Sequence, residues 1–236
     1  MNKVIWLFGR GASIECDLAW REPEYALGLP REERVRLVET ELQHEMSMPH
    51  VNTAIYKNLI QKLHDKTPTD SKHLFITTNW DYLLQNEIDA YIKQTRPGHN
   101  PPWLLSSHVY HINGSVEPGN KANRTPMYFE TDSYDVREQS QETNQALNYL
   151  IWEKRFVFIG MSLKCAMDRA LIGYLSQKQD DLPLGEATWN IINPNSSDLD
   201  EVCSLLQRVF PRASINSFTN TFSEWLEMNG IELCYA

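Results

Sequence analysis

The chain has little cysteine: Cys16, Cys165, Cys203 and Cys234 are the only four in 236 residues, and no two are close in sequence. Structural zinc is held by ligand pairs roughly two to four residues apart, so no metal site is expected and the thiols read as reduced and mostly buried. His44, His50, His64, His73, His99 and His108 also lack metal-ligand spacing. Basic charge is in deficit, with 22 lysines and arginines against 31 acidic residues and a net charge of −9. That balance argues against a surface built to neutralise nucleic-acid phosphates or anionic lipid, while leaving a local basic patch open. No apolar run approaches the roughly 20 residues of a membrane helix. The N-terminus lacks the basic and small-residue flanks of a secretion signal, so a cytoplasmic protein without a membrane partner is expected.

A hydrophobic content of 42% with 22% charged residues is ordinary for a soluble globular enzyme. The most informative stretch is Val4-Ile5-Trp6-Leu7-Phe8, a run apolar enough to be buried on both faces, which breaks into Gly9-Arg10-Gly11-Ala12-Ser13. Glycines there let the backbone turn tightly and approach a pyrophosphate, and N–H groups at a helix start attract its charge. The same pattern also serves as a plain strand-end turn. Further strands are expected at His73 to Thr77, near His108 to Ile112, at Arg155 to Ile159, at Thr188 to Ile192 and at Ala213 to Phe218. Helices are expected over Arg31 to Met46, Val51 to His64, Tyr82 to Ile92, Tyr134 to Trp152, Ala166 to Leu175, Leu199 to Phe210 and Thr221 to Met228. The alternation predicts an α/β, Rossmann-like parallel sheet with helices on both faces and a helical insertion after the first glycine loop. It is expected to be one domain over 1–236, with that insertion at about 18–70 and a variable one at about 116–153.

Ligands of such sheets bind beyond the carboxyl ends of the strands. Gly9 to Ser13, Thr78 to Asp81, His111 to Ser115, Gly160 to Ser162 and Asn193 all follow a hydrophobic strand, so all are placed to face one crevice. The second strand ends without the acidic ribose reader of ordinary dehydrogenases, which disfavours hydride transfer.

In sequence and order these segments resemble the sirtuin-like superfamily, the silent-information-regulator type of NAD-consuming domain. Gly9-Arg10-Gly11-Ala12-Ser13 is similar to its glycine-alanine-glycine-alanine-serine loop, with Arg10 where alanine usually stands. Thr78-Asn79-Trp80-Asp81 is similar to its threonine-glutamine-asparagine-any-aspartate motif, with Thr78 at the glutamine position. Asn113-Gly114-Ser115 lies at the histidine-glycine-serine position, Gly160-Met161-Ser162-Leu163 resembles the glycine-threonine-serine-leucine loop, and Ile192-Asn193 the pair that reaches the adenosine ribose.

The resemblance implies cleavage of the bond between nicotinamide and ribose, with NAD as substrate or ligand and no metal. By that resemblance Asn79 holds the ribose or the attacking water, and Asp81 holds the carboxamide or caps its helix. The N–H groups of Gly11 and Ala12, with Ser13, bind phosphate; Ser162 contacts phosphate or ribose, and Asn193 the adenosine ribose. Arg10 adds a charge-assisted bond to the pyrophosphate or points into solvent. One departure is central: Asn113 occupies the general-base position, and an amide cannot accept a proton at neutral pH. His111, two residues earlier on the same side of an extended strand, is the best local base or else a buried structural histidine.

Family deacylases carry a four-cysteine zinc module, whereas the interval from Gly114 to Gly160 holds no cysteine. The resemblance therefore implies the zinc-free bacterial type that hydrolyses NAD to ADP-ribose and nicotinamide in antiphage defence, controlled by self-assembly or a partner protein. The alternative is a silent module that binds NAD or ADP-ribose, for which Asn113 speaks. A third reading is an unrelated doubly wound nucleotide-binding enzyme. Elsewhere, Trp6, Trp80, Trp103 and Trp152 read as core or crevice wall, and Arg31-Glu32-Glu33-Arg34 as a solvated helix face.

Overall fold

The computed structural model describes residues 2–95, 97–116, 127–129, 141–177 and 186–235. Strands β1 (Asn2–Phe8), β2 (Ser71–Thr77), β3 (Tyr110–His111), β4 (Arg155–Ile159), β5 (Thr188–Ile192) and β6 (Ser214–Phe218) form one sheet in the order β3-β2-β1-β4-β5-β6. Every pairing is parallel. A buried parallel strand must satisfy two apolar layers, and β1 does so by alternation. Val4, Trp6 and Phe8 enter one core and Ile5 and Leu7 the other, none more than 1% exposed.

The first core lies under α2 (Arg31–Met46), α3 (Ala54–Lys66), α4 (Leu83–Thr95) and the terminal α8 (Phe222–Glu227) and α9 (Gly230–Leu233). The second lies under α5 (Gln141–Trp152), α6 (Ala166–Ser176) and α7 (Ser196–Val209). This is the expected doubly wound fold, with α2 and α3 as the helical insertion. The winding reverses between β1 and β4, so the first glycine loop, with the short α1 (Arg10–Ile14), sits at the topological switch point.

Differences from the expected elements have local causes. β3 is shorter than His108 to Ile112 because the open edge of β2 is shared. His73 N donates to Trp103 O at 2.8 Å and Leu105 N to His73 O at 2.9 Å, leaving only the end of β2 for β3. In the Arg31 to Arg34 segment Arg31, Glu32 and Glu33 are exposed as expected, and Arg34 is the exception to a solvated face. Arg34 is buried, ion-paired with Glu22, and its guanidinium lies 3.8 Å from the Phe129 ring centroid, while Arg31 Nη2 donates to Met127 O at 2.7 Å. These contacts exist because α2 packs across residues 127–129, which periodicity cannot foresee. Trp152, at the end of α5, is 60% exposed instead of lining a core or crevice. The expected variable insertion and the helix start at Tyr134 fall largely outside the described residues.

Beside the first core, Trp6 Nε1 donates to His73 Nδ1 at 2.8 Å, and His73 Nε2 meets Tyr235 Oη at 2.7 Å and Thr67 Oγ1 at 3.0 Å. Nδ1 must stay unprotonated to accept from the indole. Burial lowers the His73 pKa to about 3, against about 6.5 in the unfolded chain. Above about pH 6.5 neither state is charged and the histidine contributes no pH dependence. Between the two values the unfolded chain takes up a proton that the native one refuses, so stability falls as pH drops, by about 1.4 kcal/mol per unit. Urea unfolding of the wild type at pH 7 and pH 5 is expected to show this loss, about 2 kcal/mol by pH 5, and His73→Gln, whose amide does not titrate, to remove it.

Candidate functional site

The register levels the strand ends: Phe8 pairs with Thr77 and with Ile159, Thr77 with His111, and Ile159 with Ile192. The segments that follow them therefore open at one height. Beyond them lies a cavity of about 640 Å³, within the range of small-molecule sites. Of the residues expected to form a site, Arg10, Ser13, Thr78, Asn79, Asp81, Asn113, Gly160 and Ser162 line it. Gly9, Gly11, Ala12, His111 and Asn193 do not.

Gly9 and Gly11 are needed for a close approach of two loops. Gly11 N donates to Gly160 O at 2.9 Å, and Gly160 adopts φ +61, a left-handed conformation that side chains disfavour. A Cβ on Gly160 would stand 2.5 Å from Ala12 N, and one on Gly11 2.6 Å from Gly160 Cα. The N–H of Ala12 donates to Gly9 O at 3.0 Å. The two N–H groups that the sequence reading offered to phosphate are thus engaged inside the loop pair. Leu163 follows at φ 54, a strained value for a branched residue.

The β2 loop is pinned to β1. Thr77 Oγ1 donates to Phe8 O at 3.1 Å and accepts from Asn79 N at 3.0 Å, which turns Asn79 back over the glycine loop. Asn79 Nδ2 donates to Gly9 O at 2.9 Å and to Ser13 Oγ at 2.8 Å, and Ser13 Oγ donates to Asp81 Oδ2 at 2.6 Å. Asp81 Oδ1 accepts from Leu83 N at 3.2 Å, so the carboxylate also ties down the start of α4. Burial raises the Asp81 pKa, opposed by the bonds from Ser13 and Leu83. Beneath it, burial raises the Cys16 thiol to about 12, which keeps it protonated and unreactive.

Asn113 lines the cavity and donates through Nδ2 to Thr78 O at 3.0 Å. His111 is buried one layer deeper, with Nδ1 3.2 Å from Asn79 O. A carbonyl only accepts, so Nδ1 carries the proton of the neutral ring and Nε2 is the basic nitrogen. Asn193 is buried: its Nδ2 donates to Met161 O at 3.3 Å and its Oδ1 accepts from Asn195 N at 2.9 Å, bracing the β5 loop against the β4 loop.

Positive charge gathers at one side. Arg10 and Arg21 both line the cavity, and the Arg10 pKa is lowered by burial and by repulsion from Arg21. Among the described residues neither forms an ion pair, since the nearby Glu22 is committed to Arg34. Two mutually repelling guanidinium groups in a cavity suit an anion. Arg21 belongs with the wall residues that sequence reasoning missed: Leu18, Trp20, Glu22, Leu42, Lys164, Cys165 and Asp168. Residues 18–22 lie between α1 and α2 outside regular structure and carry no periodic signal; the position of Arg10 in the glycine loop was the one local hint of basic charge nearby.

A doubly wound parallel sheet with a cavity at its switch point, lined in part by Arg10 and Arg21, defines a Rossmann-like domain of the nucleotide-binding class. The model of the SIR2-like domain matches residues 73–200, and the chain belongs to that family. A solved chain described as "Structural Basis for the Mechanism and Regulation of Sir2 Enzymes" is similar at 16% identity, over 96% of this chain and 90% of its own, with a TM-score of 0.48. No curated protein matches the sequence.

Gly160→Ala is expected to destabilise the protein by at least about 2 kcal/mol, from the left-handed backbone and the clash with Ala12 together, measured as a shift of the urea midpoint. Gly173→Ala, in the middle of α6 with open space around its Cα, is expected to be neutral or stabilising by up to about 1 kcal/mol.

Proposed function

We propose that this domain binds NAD in the strand-end cavity and hydrolyses it to ADP-ribose and nicotinamide. The observation that carries the reading is the meeting of three groups in one cavity: Asn79, whose amide N–H groups are both engaged so that its carbonyl oxygen remains to accept, and Arg10 and Arg21, which form no ion pair among the described residues. The guanidinium pair suits the pyrophosphate, in place of the Gly11 and Ala12 N–H groups. Asn79 Oδ1 suits a ribose hydroxyl or a water, both of which donate. Ser162 and Thr78 offer hydroxyls from the facing loops.

In this reaction the bond from the ribose carbon to the nicotinamide nitrogen breaks, and its electron pair leaves with neutral nicotinamide. Water adds to the same carbon and releases a proton. Little covalent machinery is needed, and orienting the water against the ribose supplies most of the acceleration. His111 supports this site from behind Asn79. The reading extends to an effector of antiphage defence, whose toxicity requires restraint by self-assembly or a partner protein; the cysteine-free interval between Gly114 and Gly160 supports the zinc-free branch of the family.

A second reading is favoured by Asn113, which holds the Thr78 carbonyl and supplies no base. On that reading the domain binds NAD or ADP-ribose without cleaving it.

Purified protein incubated with NAD is expected to release nicotinamide, followed by chromatography. Asn79→Ala is expected to lower kcat about 100-fold, and Arg10→Ala to raise KM about tenfold with a smaller change in kcat. Saturable binding with no release, alone or with a genomic-neighbour protein, would establish the binding module.

A further inference from the structure

Asn79 presents an acceptor to the cavity only if its amide is held one way round, and the neighbouring bonds decide which way. The carbonyl of Gly9 can only accept, so the atom 2.9 Å from it is Nδ2. The second Nδ2 proton then points at Ser13 Oγ, 2.8 Å away, and the hydroxyl must accept there. A hydroxyl has one proton, and the Ser13 proton goes to Asp81 Oδ2 at 2.6 Å. The carboxylate is anchored in turn by Leu83 N–H on its other oxygen. Ser13 and Asp81 are 4% and 7% exposed, so water competes poorly for these bonds.

We infer that Ser13 and Asp81 are positioning residues: the run of bonds from Asn79 through Ser13 to Asp81 locks the Asn79 amide with Oδ1 toward the cavity, where it takes a proton donor from the substrate ribose or the attacking water. Two chain segments supply this device, the glycine loop and the β2 loop, with Asp81 68 residues of sequence away from Ser13. It gives Ser13 a role other than phosphate binding, because its single proton, which a phosphate would need, is given to Asp81 inside the wall. It also gives Asp81 a role other than holding the carboxamide. With Ser13 removed, one Nδ2 proton has no acceptor, and a rotated amide offers N–H groups to a ribose hydroxyl or water that needs an acceptor.

The inference rests on the proposed hydrolysis for its kinetic consequence but not for its geometry, so two readouts are needed. In nicotinamide release, Ser13→Ala and Asp81→Asn are each expected to lower kcat 10- to 100-fold with KM for NAD within about threefold. Combining either with Asn79→Ala should cost no more than Asn79→Ala alone, since both act through one side chain. Losses that add, or that fall on KM, would overturn the inference. In nitrogen-15 spectra the side-chain amide signals of Asn79, identified by their loss in Asn79→Ala, should shift in Ser13→Ala and in Asp81→Asn, and the proton facing Ser13 should exchange faster. Unmoved signals would overturn the inference regardless of activity. If the wild type releases no nicotinamide, the hydrolysis reading fails and the spectra alone decide the orientation.

Discussion

The site depends on one backbone contact across the switch point, the bond from Gly11 N–H to the carbonyl of Gly160. It brings the loops after β1 and β4 closer than any side chain would permit, and the glycines at 9, 11 and 160 are the price of that approach. Because β1 is central, the contact also sets where the β2 loop can dock, and Asn79 reaches across to Gly9 O only while the glycine loop lies flat against Gly160. The cavity is what remains above this interlocked floor.

Using backbone N–H groups inside the floor changes how an anion would be held. In the usual glycine loop the main chain faces the phosphate; here Gly11 and Ala12 face neighbouring carbonyls, and charge comes from side chains. On the proposed reading Arg10 and Arg21 supply it, and burial and the proximity of Arg21 lower the Arg10 pKa. The buried Arg34, by contrast, is matched by Glu22 and covered by Phe129, so its charge is spent on holding α2 against residues 127–129 and not on a ligand. Among the described residues, a carboxylate partner is what separates Arg34 from Arg10 and Arg21.

The legible parts of the fold are those governed by local chemistry. Buried parallel strands announce themselves as apolar runs, so β1, β2, β4 and β5 were readable, and the small and polar residues just after them marked the strand ends that form the cavity. β3 was overextended because strand propensity says nothing about competition for the edge of β2 by residues 103–105. The four-residue α9, which follows the left-handed Asn229, is too short to leave a periodic trace. The wall residues at 18–22 and 164–168 came into view only with the cavity, since neither stretch has a motif or a period of its own.

By itself the sequence determined the alternation of strands and helices and the order in which strand-end segments meet, because hydrophobic periodicity and glycine placement are local properties. Which atoms of those segments remain available was decided by tertiary structure alone. Hydrogen-bond capacity is finite, and a partner some 35 to 150 residues away can exhaust it: Gly160 takes the Gly11 N–H, Asp81 takes the Ser13 proton, and Thr78 takes the Asn113 amide. His111 settles behind Asn79 for the same reason, since its ring found a backbone carbonyl before it could reach the cavity.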